Sequence, residues 1–212
     1  MLKRHCSPVS LSKKDRIRNS YYRTNRYHKS ENRSVSDHIM NFNLLVTTYR
    51  NREDDAFDEI LQLLEVLGDN DPSIEVSSVS GIILADTLLD PFQFVEDCKK
   101  MVRSEPWKFR YVLRIIPLEK NCKAELSEIH EIVNQLCTKI DGQETYRVLI
   151  EKRHSRLHSN EIISTVTSKL KMKVNLDDPN WIILIQIVKM VAGISILKPD
   201  QIFSSVKEKI SS

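Results

Sequence analysis

The sequence predicts an α+β fold made of two halves, and three observations support this prediction. Residues 41–118 show strand and helix patterns in the order β-α-β-β-α-β, and residues 119–205 follow with the order α-β-α-β-β. Within the second half, residues 181–188 form a continuous apolar run, which is typical of a strand buried on both faces of a sheet. The apolar content of 41% in 212 residues is sufficient for a packed core.

The first half opens with a short β-rich run at residues 42–48. Residues 53–68 then place apolar side chains on one helical face, begin with acidic residues that suit the helix dipole, and end at a glycine. The remaining elements are two strands on either side of Gly81, a helix with Asp90 as N-cap and Pro91 at its first position, and a strand at residues 109–118. This order is that of the ferredoxin-like fold.

The second half has longer elements that are separated by short turns. Its predicted elements are a helix at residues 123–140, a strand at 145–153, a helix at 160–172 with Asn160 as N-cap, and strands at 181–188 and 191–197. A turn at residues 176–180 precedes the apolar strand, and Pro199 ends the last one. We find no internal repeat that relates the two halves.

The residues that carry common catalytic chemistry are missing or scattered. The four glycines form neither a dinucleotide-binding loop nor a P-loop, and no GxSxG or HExxH motif is present. The four cysteines contain no CxxC pair, and His154 and His158 have no third ligand nearby in sequence. We therefore expect a protein that is not an enzyme and that needs no metal or cofactor.

The sequence also carries expectations about the compartment. No run of about 18 apolar residues is present, so we expect no membrane span. The N-terminus lacks the apolar centre of a secretory signal. Together with unpaired cysteines, this predicts a reduced, cytoplasmic protein.

The net charge of +3 conceals a strong asymmetry along the chain. Residues 1–40 hold ten Lys/Arg and three Asp/Glu, whereas the remainder holds 22 Lys/Arg and 26 Asp/Glu. The first segment is interpreted as a disordered basic arm whose interleaved tyrosines can stack on nucleic acid. An equal alternative is that the native chain starts at Met40, directly before the first strand.

A second basic region lies inside the acidic body of the chain. Residues 143–173 hold seven Lys/Arg and three Asp/Glu, and several of the cations surround the predicted start of a helix near Asn160. A helix N-terminus with nearby cations suits a phosphate group. The pattern is also typical of a lysine-rich, solvated helix end, so charge alone leaves RNA binding and simple solvation open.

Several stretches resemble the THUMP RNA-binding domain, and more narrowly the stand-alone THUMP proteins that assist tRNA cytidine acetylation. The resemblance covers about residues 41–205. It is carried by a strand and a following Cys-Lys-Ala step that match Arg114, Pro117, Cys122, Lys123 and Ala124, and by a later turn that matches Val174, Asn175, Leu176 and Pro179. Residues 1–40 match nothing in the family.

The resemblance implies a ferredoxin-like domain at residues 41–118 packed on a THUMP domain at residues 119–205. It also implies that the chain recognises the acceptor-stem end of tRNA and presents that tRNA to a separate acetyltransferase, which forms N4-acetylcytidine in the D-arm. The RNA-binding candidates are Lys152, Arg153, Arg156, Lys169, Lys171, Lys173, Lys120 and Lys123. Two alternatives stay open: a tRNA-binding partner of a methyltransferase or thiolation enzyme, and a protein–protein scaffold without RNA binding.

Overall fold

The computed structural model of the chain describes residues 41–210, so the predicted basic arm at residues 1–40 lies outside the described part. The first half contains β1 (Leu44–Thr48), α1 (Glu53–Leu67), β2 (Ser73–Val76), β3 (Ile82–Asp86), α2 (Pro91–Ser104) and β4 (Val112–Pro117). The second half contains β5 (Lys120–Lys123), α3 (Leu126–Leu136), β6 (Thr145–Arg153), α4 (Ser159–Thr167), β7 (Lys173–Val174), β8 (Trp181–Val188) and β9 (Val191–Leu197). The chain then adds β10 (Phe203–Ser204) and α5 (Ser205–Ile210).

The first sheet has the strand order β10-β4-β1-β3-β2, and all its pairs are antiparallel. Strands β4-β1-β3-β2 with helices α1 and α2 are the ferredoxin-like arrangement that the element order predicts. The predicted helix ends are also confirmed. Gly68 closes α1 in the left-handed conformation with φ 112°, and the Asp90 side chain accepts a hydrogen bond of 2.7 Å from the Gln93 backbone N–H.

The second sheet has the order β5-β9-β8-β6-β7. Strand β8 lies between its parallel neighbour β6 and its antiparallel neighbour β9, and seven of its eight residues are buried. This confirms the prediction of a strand that is covered on both faces. Helices α3 and α4 cover one face, where their buried aliphatic side chains pack against Ile183, Ile185 and Ile187 of β8.

The opposite face of the second sheet packs on the first half through a shared apolar layer. Phe42, Leu45 and Leu118 contribute from one side, and Leu184 and Leu197 contribute from the other. At Gly193 the layers approach so closely that a Cβ atom would lie 2.7 Å from the Leu118 Cδ1 atom. This shared apolar layer therefore joins the two halves.

The structure differs from the sequence prediction at several short elements. Strands β5, β7 and β10 and helix α5 were not predicted. Helix α3 begins at Leu126 and not at Lys123, because Lys120–Lys123 pair with β9 as an edge strand. Helix α4 begins at Ser159 and ends at Thr167, and its N-cap is His158, two residues before the predicted cap Asn160.

Two further features concern the cysteine thiols and the apolar character of the helices. Cys98, Cys122 and Cys137 are buried free thiols, and burial raises the pKa of Cys122 and Cys137 to about 12. Thiols with raised pKa values and no access to solvent are poor nucleophiles, so these cysteines serve packing. Within residues 41–210, no helix has the length and apolar character that crossing a membrane requires.

Candidate nucleic-acid interface

The predicted basic turn lies at one edge of the second sheet, which we call the carboxyl edge and define as residues 123–125, 153–158 and 189–190. Strands β6 and β8 are parallel, and β5 runs in the same direction because both β5 and β8 are antiparallel to β9. Their register places Arg153 beside Val188, and Lys123 beside Val191. Helices α3 and α4 both begin at this edge.

Two of the predicted RNA-binding cations are exposed at the end of β6. Lys152 closes the loop that follows, because its Nζ donates a hydrogen bond of 2.7 Å to the Leu157 carbonyl. Arg156 is exposed, and its side chain has no hydrogen bond or ion pair within residues 41–210. The exposed His154 and His158 flank it. Helix α4 begins here, so the backbone N–H groups of its first turn lie next to this edge. The His158 side chain makes no capping hydrogen bond to them.

Arg153 has a different environment from its neighbour Lys152. Successive residues of a strand point to opposite faces, so Arg153 faces the first half of the molecule. Its guanidinium donates to the Gln186 Oε1 atom at 3.0 Å and to the Glu151 Oε2 atom at 3.1 Å, and only a quarter of its side chain is exposed. Arg153 is thus bound within the protein, and its charge is partly neutralised.

Glu151 lies between two guanidinium groups. Besides Arg153, it accepts two hydrogen bonds of 3.0 and 3.2 Å from Arg114, which comes from strand β4 of the first half. Burial opposes ionisation of Glu151, but the hydrogen bonds and charges of Arg114 and then Arg153 outweigh burial and lower the pKa of Glu151. The Arg114–Glu151 pair ties strand β4 to strand β6.

The lysines near the end of α4 lie far from the carboxyl edge. Lys169, Lys171 and Lys173 are exposed, and Lys173 pairs with Thr145 at the start of β6. Lys152 follows Thr145 by seven residues on the same strand, which corresponds to about 23 Å at the usual rise per residue. Cations that are close in sequence therefore form two separate groups at opposite ends of the sheet.

The remaining two candidates lie on the edge strand β5. The strand order β5-β9-β8-β6 separates them from β6 by three strand spacings, which corresponds to about 14 Å. Lys123 is half-buried at the carboxyl edge, and its backbone N–H donates to Glu128 at 2.9 Å. Lys120 is exposed and pairs with Ile194 at the start of β5, away from the carboxyl edge.

The structure adds two residues to the carboxyl edge that the sequence analysis missed, Lys189 and Met190. They form the turn between β8 and β9, and both are exposed. The Lys189 N–H donates to the Arg153 carbonyl at 2.9 Å, and the Met190 carbonyl accepts from the Ala124 N–H at 2.8 Å. The hairpin therefore bridges the loop after β6 and the loop after β5. The only sequence signal was a lysine that interrupts two apolar runs.

Within the described part of the chain, no group of three or more His, Cys, Asp and Glu side chains is placed to hold a metal ion.

Comparison with known proteins places this sheet in a defined family. Residues 123–197 match the family model of the THUMP domain. These residues form a THUMP domain. The match covers β6, β8, β9 and the two helices beside them, and it includes the carboxyl edge. The presence of a THUMP domain supports RNA binding and a connection with tRNA modification.

Known relatives of the chain have low sequence identity and are longer. The chain is 24% identical over 138 residues to THUMP domain-containing protein 1 of Homo sapiens and 22% identical to that of Mus musculus. Each alignment covers 60% of this chain and 39% of the relative. The chain therefore aligns with about two fifths of the length of these curated relatives.

Solved structures show the same fold across most of the chain. PH1313 from Pyrococcus horikoshii Ot3 and TrmN from Thermus thermophilus each superpose with a TM-score of 0.54 at 14% identity. The superpositions cover 74% of this chain, and 55% and 45% of the two other proteins. The superposed 74% of the chain is longer than the THUMP match at residues 123–197, so the shared fold extends into the ferredoxin-like half.

Proposed function

We propose that this protein binds the acceptor-stem end of tRNA through the carboxyl edge of its THUMP domain, and that it presents the tRNA to a separate acetyltransferase forming N4-acetylcytidine in the D-arm. The THUMP match supports the RNA-binding part of this proposal. The acetyltransferase part rests on the sequence resemblance to stand-alone THUMP proteins that serve such an enzyme.

The observation that carries RNA binding is the convergence of Lys152, Arg156 and Lys189 at one edge of the sheet. These exposed cations come from the end of β6, the following loop and the β8–β9 turn. They stand out because residues 41–212 together hold 22 Lys/Arg and 26 Asp/Glu. Cations concentrated at one edge of an otherwise acidic body favour a localised polyanionic partner.

Phosphate binding by such cations fits the recognition of tRNA as a class. Lys and Arg contacts to phosphates supply affinity and fix the orientation of the RNA without reading its sequence. Double-stranded RNA is read mainly by shape and backbone, which many tRNAs share. Under this proposal Lys169, Lys171 and Lys173, near the other end of α4, would contact a more distant part of the same RNA.

Under this proposal the protein is an adaptor and not the modifying enzyme. The sequence contains none of the nucleotide-binding or nucleophile motifs discussed above. The helices and strands of residues 41–210 all belong to the two packed halves. Under this proposal, acetyl transfer takes place on the partner enzyme. The ferredoxin-like half is fixed to the THUMP sheet by the shared apolar layer. It would therefore set the distance between the RNA-binding edge and that enzyme.

Charge reversal at Arg156 tests the RNA-binding surface directly. We expect Arg156→Glu to weaken binding of total tRNA about tenfold at low salt and to reduce the slope of log affinity against log salt by about 1. The matched control is Lys100→Glu, because Lys100 is 71% exposed on helix α2 of the first half. A gel shift with tRNA and with duplex DNA of equal length measures both variants. Equal tRNA affinity of folded Arg156→Glu and Lys100→Glu would refute this surface.

The modification itself is tested in cells. Deletion of the gene is expected to remove N4-acetylcytidine from tRNA, which nucleoside analysis by mass spectrometry detects. Loss of a different modified nucleoside would replace the acetyltransferase by a methyltransferase or thiolation enzyme. If every modified nucleoside persisted while purified protein still bound tRNA, the adaptor role would be wrong and RNA binding would stand alone.

A further inference from the structure

The turn between β8 and β9 has a backbone conformation that does not suit its residue. Lys189 has a φ angle of 57°, in the left-handed region. Three non-glycine residues within residues 41–210 share such an angle, and the other two are Asn51 and His154. Asparagine and histidine are enriched in this region, whereas lysine is not. Two-residue hairpins usually place glycine, asparagine or aspartate at such positions.

The strained lysine lies directly beside the second left-handed residue of the carboxyl edge. Lys189 donates its backbone N–H to the carbonyl of Arg153, and His154, with φ 55°, is the next residue in the chain. Both follow the carboxyl ends of the parallel strands β6 and β8. Ligands of sheets with helices on their faces commonly bind beyond the carboxyl ends of strands. Unfavourable backbone conformations persist only where the surrounding structure holds them, and they cluster at functional sites.

The backbone of the hairpin tip is hydrogen-bonded on both sides, while its side chains are exposed. One side is bound to Arg153 and the other side to Ala124, at 2.9 and 2.8 Å. The Lys189 side chain is exposed, and 72% of Met190 is accessible to solvent. A cation and a flexible apolar side chain next to each other match the two chemical faces of a nucleotide, its phosphate and its base or ribose.

We propose that the Lys189–Met190 tip is an RNA-contacting element at the centre of the carboxyl edge, in which Lys189 binds a phosphate and Met190 packs on a base or ribose of the same RNA. This inference rests on the proposed tRNA-binding function. It adds a contact that reaches from the β6 end toward Lys123, so the interface spans the whole edge of the sheet. It also explains why a lysine occupies a position where glycine would be less strained.

A glycine substitution separates this role from an ordinary turn. Lys189→Gly removes the charge but relieves the backbone, so we expect an equal or higher Tm together with an affinity for tRNA that is lower by about threefold to tenfold. The salt slope should fall by about 1. Asn51→Gly is the matched control, because Asn51 has a similar φ of 62° in the first half. That control should bind tRNA like the unchanged protein.

Two further variants guard against an effect of turn flexibility. Lys189→Asn introduces a residue that tolerates the left-handed conformation and is expected to lose the same affinity, whereas Lys189→Arg should retain it.

Met190→Ser tests the apolar contact and should lower the affinity about threefold with an unchanged salt slope, since no charge is removed. Its control is Leu88→Ser, because Leu88 is 94% exposed in the first half.

The outcomes distinguish this inference from the proposed function. If the unchanged protein bound no tRNA, both would fail. If Arg156→Glu lost affinity but Lys189→Gly, Lys189→Asn and Met190→Ser all bound like their controls, the tip would be an ordinary turn and only the inference would be wrong. Equal losses in Lys189→Gly and Asn51→Gly would likewise refute it, since the effect would then be one of backbone flexibility.

Discussion

At the scale of single residues, Glu151 determines how the cations of strand β6 are used. It binds Arg114 through both carboxylate oxygens and Arg153 through one, so it connects the ferredoxin-like half with the end of β6. Arg153 is thereby fixed against Gln186 and Glu151, while Arg156, three residues later, is exposed and its side chain has no hydrogen bond or ion pair within residues 41–210. Two arginines of one turn thus have different environments, one bound within the protein and one exposed.

The ionised form of Glu151 should stabilise the fold in a pH-dependent way. The folded-state pKa of Glu151 is lowered, so its contribution is fully present above the unfolded-state pKa and is lost as pH falls through the folded-state pKa. We expect Glu151→Gln to lower the free energy of unfolding by about 1–2 kcal/mol at pH 7. The deficit should shrink below about pH 4. Urea denaturation at several pH values measures it.

A carboxylate without such partners provides the control for this experiment. Glu131 is exposed on helix α3 and has a single side-chain contact, with Gln135 at 3.3 Å. Glu131→Gln should change the free energy of unfolding by less than about 0.5 kcal/mol at every pH. A Glu151→Gln deficit that stayed constant from pH 7 to pH 3 would show that the ion pairs do not carry the effect.

The sequence predicted the surroundings of some candidate residues and not of others, for physical reasons. Lys152 and Arg156 were recognisable because a turn rich in charge is normally exposed. The environment of Arg153 was not, because its acid is shared with Arg114, which lies 37 residues before Glu151 in the chain. Lys189 was missed because its proximity to Arg153 depends on strand pairing, and its φ angle cannot be read from the residue type.

At the scale of elements, the strength of the apolar pattern decided which predictions succeeded. Strands β6, β8 and β9 have the predicted bounds, and β8 is buried as its continuous apolar run indicates. The missed strands β5, β7 and β10 have two to four residues and exist through pairing with distant segments. Such short runs contain too few residues to show a period, so only the assembled sheets define them.

Because β8 is central, it should not tolerate a charge. Ile185 is fully buried, with 0% of its surface exposed, and it packs beneath helices α3 and α4. We expect Ile185→Asp to cost more than about 4 kcal/mol, because the carboxylate would be buried without a partner. The matched control, Ile210→Asp, changes an isoleucine that is 80% exposed and should leave Tm within a few degrees. Circular dichroism melting compares both, and cooperative unfolding of Ile185→Asp near the Tm of the control would contradict the burial argument.

At the scale of the whole molecule, the chain returns to the first half after completing the THUMP domain. Strand β10 pairs with β4, and Phe203 is fully buried with its ring centroid 5.0 Å from that of Phe109. Lys209 then donates to the Phe109 carbonyl at 2.7 Å. Together with the apolar layer between the sheets, this return couples the two halves through both packing and chain connectivity. The same coupling would hold the proposed RNA-binding edge at a fixed distance from any enzyme bound to the ferredoxin-like half.

This coupling predicts that the two halves unfold together, and the two tryptophans allow the test. Trp107 lies in the first half and Trp181 begins β8 in the second, so Trp107→Phe and Trp181→Phe each leave one fluorescent reporter. We expect equal urea midpoints from both reporters. Adding Phe203→Ala should lower the free energy of unfolding by about 3–4 kcal/mol at both reporters, although the Phe203 ring packs on Phe109 of the first half. A Trp181 midpoint that did not move would show that the THUMP domain folds independently, and the fixed spacing proposed for the adaptor would lose its structural basis.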